Sequence, residues 1–180
     1  MKRSYKPLIA IAVLLLLAVL AAGCGSKQAP SPPSGQAAAP AANAGADLAK
    51  NAGKFVQQAD AHKDSAAAQF QAALGLYNAK KLSEAAQYYE RAIKLDPKNA
   101  TYLNNLGNVY RDMKNYKQAA AEYQQALKLA PHNIVSYVNL ASMQATYLND
   151  KKAALATVRE GLQNNPQNKD LLTMARQFAK

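Results

Sequence analysis

One thiol, two imidazoles and a row of side-chain amides are the groups in this 180-residue chain with chemistry to offer. The thiol is Cys24, preceded by Leu20-Ala21-Ala22-Gly23. As the lone cysteine it excludes a disulfide framework and a cysteine-based metal site. Asp60, His62 and Asp64 alternate, which superficially suggests a metal clip. Alternate residues do not share one helix face and no fourth ligand is evident, so a solvated polar stretch is expected. His132 stands beside Pro131, where a polar turn residue needs no further role. There is no phosphate loop, nucleophile motif or pair of carboxylates with catalytic spacing, so the chain reads as a non-enzyme without a cofactor. That leaves the amides of Gln71, Asn104, Asn105, Asn108 and Asn139. Each offers a donor and an acceptor, which suits pairing with an extended peptide backbone whatever its sequence.

The elements that place these groups differ sharply along the chain. Lys2, Arg3 and Lys6 precede an apolar run from Leu8 to Ala22, the layout of a secretory signal over 1–23. The run is shorter than the roughly 20 residues that span a bilayer comfortably. With Cys24 it resembles the lipobox of bacterial lipoproteins, although Ala21 stands where leucine is more usual. That resemblance implies a mature chain starting at a lipidated Cys24, anchored on an extracytoplasmic membrane face. Gly25 rather than Asp follows the cysteine, which in a two-membrane bacterium resembles the outer-membrane sorting pattern. Residues 24–46 are rich in Ala, Pro, Gly, Ser and Gln, with no large apolar side chain to offset the entropy of ordering, and read as a disordered tether. Residues 47–65 carry Leu48, Phe55 and Val56 but also Gly53 and a polar run, and are left as a helical extension of uncertain extent.

From Ala66 onward the sequence repeats. Pro97, Pro131 and Pro166 are spaced 34 and 35 apart; Ala85, Ala119 and Ala154 keep those intervals, as do Ala92, Ala126 and Gly161. Each unit holds two amphipathic segments around a polar turn, over 66–99, 100–133 and 134–167. In the middle unit Leu103, Leu106, Gly107 and Tyr110 face Ala119, Tyr123, Ala126 and Leu127, with Gly107 allowing close approach. Tyr89, Tyr110, Tyr116 and Tyr123 are assigned to packing. Asn99 and Asn133 are placed to cap the next helices, and Asn115 with Gln118 suggests a capping box. Residues 168–180 carry Leu171, Leu172, Ala175 and Phe178 at helical spacing, a final helix covering the last unit.

Leu106, Gly107, Tyr110, Ala119, Tyr123, Ala126 and Pro131 fall on the signature positions of the tetratricopeptide-repeat (TPR) family, which the middle unit resembles. The outer units depart from it, with Ala72-Ala73 for the Leu-Gly pair and Gly161 for an alanine. The resemblance implies an all-α, right-handed helix-turn-helix solenoid of three units with a C-terminal capping helix. It also implies a groove lined by the first helix of each unit. Carried over, the groove positions are Phe70, Gln71, Leu74, Tyr77 and Asn78; Thr101, Asn104, Asn105, Asn108, Arg111 and Asp112; and Val135, Val138, Asn139, Ser142 and Thr146. Chaperone-binding members clamp a terminal carboxylate with Lys, Asn, Asn, Lys and Arg. The matching positions here hold Phe70, Leu74, Asn105, Val135 and Asn139, so chaperone tails are not the expected ligand, and an apolar mouth around Phe70, Leu74 and Tyr77 suggests a partner with apolar side chains.

The chain carries 22 Lys and Arg against 11 Asp and Glu, which favours anionic surroundings. Lys80, Lys81, Lys114, Lys117, Lys151 and Lys152 fall in or beside the turns within units, where stacking would gather them into a basic edge. Nucleic acid is not the expected partner behind an export signal. The sequence therefore points to an anchored adaptor for a protein or peptide of the cell envelope. The alternative is a binder of wall or surface polymer through the lysine edge.

Overall fold

The computed structural model describes residues 42–179, so the signal segment, Cys24 and the linker up to residue 41 lie outside the described residues. Among the described residues there are nine helices and no strand. They are α1 (Ala42–Lys50), α2 (Ala52–Ala61), α3 (Ala66–Asn78), α4 (Leu82–Leu95), α5 (Ala100–Asp112), α6 (Tyr116–Leu129), α7 (Ile134–Thr146), α8 (Lys151–Asn164) and α9 (Lys169–Phe178). None of them is long and apolar enough to cross a membrane. The described residues all belong to one compact unit.

The second helix of each pair stops two residues before a proline, which has no N–H to continue the helical bonding. An asparagine then restarts the chain. Asn99 accepts from Thr101 N, Asn133 from Ser136 N and Asn168 from Leu171 N. The turns inside pairs work differently, each through one left-handed residue: Lys80 (φ 61), Lys114 (φ 64) and Asn149 (φ 51). The capping box expected at Asn115 does not form. The left-handed Lys114 aims the Asn115 backbone N–H at Tyr110 O, 2.8 Å away, and its side chain makes no cap bond.

Helix pairs α3–α4, α5–α6 and α7–α8 stack so that each second helix also packs on the first helix of the next pair. Small residues set the spacing. A Cβ at Gly107 would stand 2.6 Å from the Tyr123 ring, and one at Gly161 would stand 2.9 Å from Tyr137. The buried side chains form two clusters, one around Tyr89, Leu76 and Val109, the other around Tyr123, Tyr137 and Val158, with Tyr110 packed against both.

Both ends are closed by helices outside the three pairs. At the C-terminal end α9 packs on α8 with Leu171 buried and Met174, Ala175 and Phe178 half-covered. Leu172 was expected on that face but is exposed, being about 100° round the helix from Leu171. At the N-terminal end α1 and α2 lie along α3. Helical structure thus begins at Ala42, inside the segment expected as linker. Alanine-rich chain has high helix propensity, and Gly75 on α3 gives this helix somewhere to pack. A Cβ on Gly75 would meet Ala52 Cα at 3.0 Å and Phe55 at 3.1 Å. Gln69, only 1 % exposed, pins the contact by donating Nε2 to Ala59 O at 2.8 Å.

Candidate interaction groove

Helices α3, α5 and α7 place the expected groove residues on neighbouring rods, and their polar atoms join into one network. Asn108 Oδ1 on α5 is its hub. It accepts from Tyr123 OH at 2.8 Å, from Asn139 Nδ2 at 3.3 Å and from Arg111 Nη1 at 3.4 Å. Asn139 Nδ2 is shared with Asn104 Oδ1 at 3.2 Å, and Asn104 Oδ1 also accepts from Ser136 Oγ at 3.1 Å. Towards α3, Arg111 grips Asp112 at 2.8 Å, and Asp112 accepts from Tyr77 OH at 2.7 Å. Burial, reinforced by the Asp112 hydrogen bond, pushes the Tyr77 phenol up to about 12, so it stays a neutral donor at physiological pH. Burial likewise raises the Tyr123 phenol.

This arrangement sorts the expected groove residues. Asn104 is buried under α7, its oxygen held by Ser136 and Asn139, so it props the groove and does not face a ligand. Asn105 donates to Thr101 O one turn back at 2.8 Å and is half-exposed. Gln71 is exposed and makes no hydrogen bond among the described residues. The three equivalent positions Gln71, Asn105 and Asn139 therefore do not form a uniform amide ladder; of the three, Asn139 alone enters the network. What remains open is Asn108 Nδ2 and Asn139 Oδ1, a donor and an acceptor that no hydrogen bond among the described residues engages.

Phe70 does not stand as an open apolar mouth. Its ring stacks on Tyr102 with centroids 4.8 Å apart and meets Tyr89 edge-on at 5.8 Å. Leu74 is half-buried against the same cluster, and Val135 is half-buried on α7. Beside Asn139 a depression of about 270 Å³ is lined by Arg111, Asp112, Asn139, Ser142, Met143, Thr146 and Tyr147. Ser136, Met143 and Tyr147 were not expected in this role. Ser136 had a signal, since it lies one helical turn before Asn139 and 32 residues beyond Asn104.

The six lysines Lys80, Lys81, Lys114, Lys117, Lys151 and Lys152 are all exposed in or beside the turns inside pairs. Lys81 pairs with Glu84 at 3.4 Å. Away from the groove, Asp60 accepts from Tyr88 OH at 3.0 Å and lies 3.7 Å from Arg91, so it fastens α2 to α4. His132 Nδ1 lies 3.0 Å from Asn164 O and ties the turn before α7 to the end of α8.

A stack of helix pairs with a hydrogen-bonded polar concavity is the architecture of a protein-interaction solenoid. Residues 70–134 match the tetratricopeptide-repeat family model, and the three helix pairs have the tetratricopeptide-repeat fold. Among solved structures the chain is similar to MamA, with TM-score 0.62 and 18% identity over 67% of this chain and 70% of that one. It is similar to the Arabidopsis OM64 TPR domain, with TM-score 0.51 and 22% identity over 73% and 97%. A third similar structure is the first TPR of Spaghetti (RPAP3) bound to an HSP90 peptide, with TM-score 0.55 and 18% identity over 63% and 92%. A comparison with curated protein sequences finds no match.

Proposed function

We propose that this protein is a membrane-tethered adaptor of the bacterial cell envelope. In this reading Cys24 carries the lipid, the segment before α1 is the tether, and the α3–α5–α7 groove captures a segment of a protein partner, in the manner of an assembly factor for a secretion, pilus or envelope complex. The observation that carries the groove reading is the pair of open polar atoms on Asn108 and Asn139, held rigid by Tyr123, Asn104 and Ser136. A donor and an acceptor fixed side by side match the C=O and N–H of an extended backbone, and their supports hold them in place before binding. The RPAP3 domain of the same fold holds a peptide, which supports a peptide as ligand; the clamp positions differ, so the peptide would differ.

The test is capture from detergent-solubilised envelope, comparing the wild-type chain with a variant carrying Asn139→Ala and Ser142→Tyr. Ser142 is exposed beside the depression, so the tyrosine blocks the groove without entering the core. A partner retained by wild type and lost from the variant supports the groove; equal recovery from both removes it. Incorporation of labelled fatty acid, abolished by Cys24→Ser, tests the anchor separately. The exposure of all six turn lysines favours one second reading, a binder of anionic wall polymer. It predicts retention on purified wall that high salt reverses.

A further inference from the structure

The two edges of the solenoid are chemically unlike. One edge carries the turns inside pairs, 79–81, 113–115 and 147–150; the other carries the turns between them, 62–65, 96–99, 130–133 and 165–168. With the residues that flank them, the inside turns present Lys80, Lys81, Lys114, Lys117, Lys151 and Lys152 against Glu84, Asp112 and Asp150. Counted in the same way, the turns between pairs present Lys63, Lys94, Lys98, Lys128 and Lys169 against Asp60, Asp64, Asp96 and Asp170. So one edge is distinctly positive and the other nearly balanced.

Three further observations fall on the positive edge. Tyr147 and Leu148 lie there side by side and are 51% and 40% exposed, two of the five large hydrophobic side chains left exposed among the described residues. Tyr147 is not loose: it stacks on Tyr116 with ring centroids 4.9 Å apart. A braced aromatic with an aliphatic neighbour and a fringe of lysines is the composition that seats at a lipid–water boundary. Second, Lys80 and Lys114 occupy the left-handed positions of their turns, where glycine is conformationally at ease and lysine is not. Third, the N-terminal end of α1 lies at this edge. A Cβ at Gly45 in α1 would lie 3.0 Å from Asn78 Oδ1, at the end of α3 and two residues before Lys80. The far end of α2 lies at the opposite edge, where Gln69 reaches Ala59 O and His62 O.

We infer that the lysine edge is a membrane-docking surface: it seats on anionic phospholipid, with Tyr147 and Leu148 at the boundary and the helices standing upright. Tyr147 also lines the groove depression, so the groove then opens beside the lipid surface. A lipid on Cys24 would hold α1, whose start lies at the docking edge, near the membrane and raise the local concentration of that edge there. The benefit from the tether rests on the anchored reading above, whereas the contact itself does not.

The test uses a chain starting at Gly25, which keeps every described residue and carries no lipid. Binding is measured to vesicles of phosphatidylcholine with and without phosphatidylglycerol. Wild type should bind the anionic vesicles, and salt should weaken the binding. Lys→Gln at all six edge positions should reduce it at least about tenfold. Lys→Gln at Lys63, Lys94, Lys98 and Lys128, near the other edge, should leave it unchanged. Matching thermal unfolding of the variants keeps the comparison fair. The chain has no tryptophan, so one introduced residue gives a clean signal. Tyr147→Trp should shift to the blue on anionic vesicles and His132→Trp should not. Unaltered binding by the six-site variant, equal binding to both kinds of vesicle, or an equal shift at His132→Trp overturns the inference. So does binding to purified wall polymer with none to vesicles. Docking without fatty-acid labelling of Cys24 defeats the anchor alone, and labelling without docking defeats the lysine edge alone.

Discussion

The first and middle repeats share a backbone plan but fill two of its slots with opposite chemistry. Phe70 and Leu74 on α3 stand where α5 has Asn104 and Asn108, 34 residues on. Tyr89 and Tyr123 are likewise equivalent, and both are fully buried. In the middle repeat the Tyr123 hydroxyl finds Asn108 at 2.8 Å. In the first repeat the Tyr89 hydroxyl is buried with no partner, because the slot that should supply one holds Leu74. The tyrosine ring serves the stack in both places; its hydroxyl serves the groove in one. The polar face is therefore an acquisition of the middle repeat, completed by Asn139 and Ser136 from the third, while the first repeat keeps an apolar interior.

The largest expected effect separates the two repeats by their glycines. Gly107→Ala drives a methyl into the Tyr123 ring, which is locked between helices, so the α5–α6 pair must open. A loss of about 2 kcal/mol in global stability is expected, after the helix-propensity gain of alanine is allowed for, read from denaturant unfolding. Gly75→Ala also meets atoms at 3.0 Å, but they belong to α1 and α2, which can lift away. There, limited proteolysis and amide exchange should show residues 42–61 loosening before the repeats do. Equal global losses would mean that the terminal helices and the repeats unfold together.

The next contrast is one of sign. Tyr123→Phe removes a hydroxyl bonded to the network hub and should cost about 1 kcal/mol. Tyr89→Phe removes a buried hydroxyl with no partner and should be neutral or stabilise by up to about 1 kcal/mol. Chemical denaturation of the two single variants decides it. A loss of similar size at both sites would show that Tyr89 has a partner after all.

A cycle of substitutions sharpens the same point. Leu74→Asn recreates the middle repeat's pairing in the first. It gives up apolar contact, but the amide can receive the Tyr89 hydroxyl. The substitution should therefore cost less in the wild-type background than alongside Tyr89→Phe, with a coupling of about 1 kcal/mol. Additive costs would mean that slot identity alone does not dictate the bond.

Much of this was legible from spacing. The helix pairs, the prolines that end them, the asparagine caps and the Gly107 contact follow from periodic apolar residues and a few residues with fixed backbone habits. What spacing hid was partnership. Asn104 and Asn108 look alike on a helix face, yet α7 buries the first and leaves the second with an open amide. Which one is covered depends on how α7 leans on α5, a tertiary fact. The first 20 described residues were obscure for a similar reason. Gly53 and a polar run weaken the local signal, and α1 and α2 are fixed by Gly75, Gln69 and Tyr88, at sequence separations that start at 10 for Gln69–Ala59 and reach 28 for Tyr88–Asp60.

The smallest effect lies where Glu122 faces the first repeat. It occupies the slot held by Tyr88 one repeat earlier, is half-buried, and lies in the field of Glu90 on α4, which itself accepts from Tyr110 OH at 2.9 Å. Burial first, and then the Glu90 charge, raise its carboxyl above the usual range. A carboxyl raised in the folded state favours its protonated form. Its contribution is therefore favourable at low pH and is lost as pH rises through its folded value. Glu122→Gln should remove that dependence, stabilising the chain slightly at neutral pH, by less than about 1 kcal/mol, and making no difference near pH 4. Tyr88 at the equivalent slot shows why the charge is awkward: there the position meets Asp60 and Arg91 as a neutral donor beneath a cation, with the guanidinium 4.5 Å above the ring. If unfolding curves for Glu122→Gln and wild type instead run parallel from pH 4 to 8, the Glu90 charge is screened. The slot would then tolerate either chemistry, as the groove slots do not.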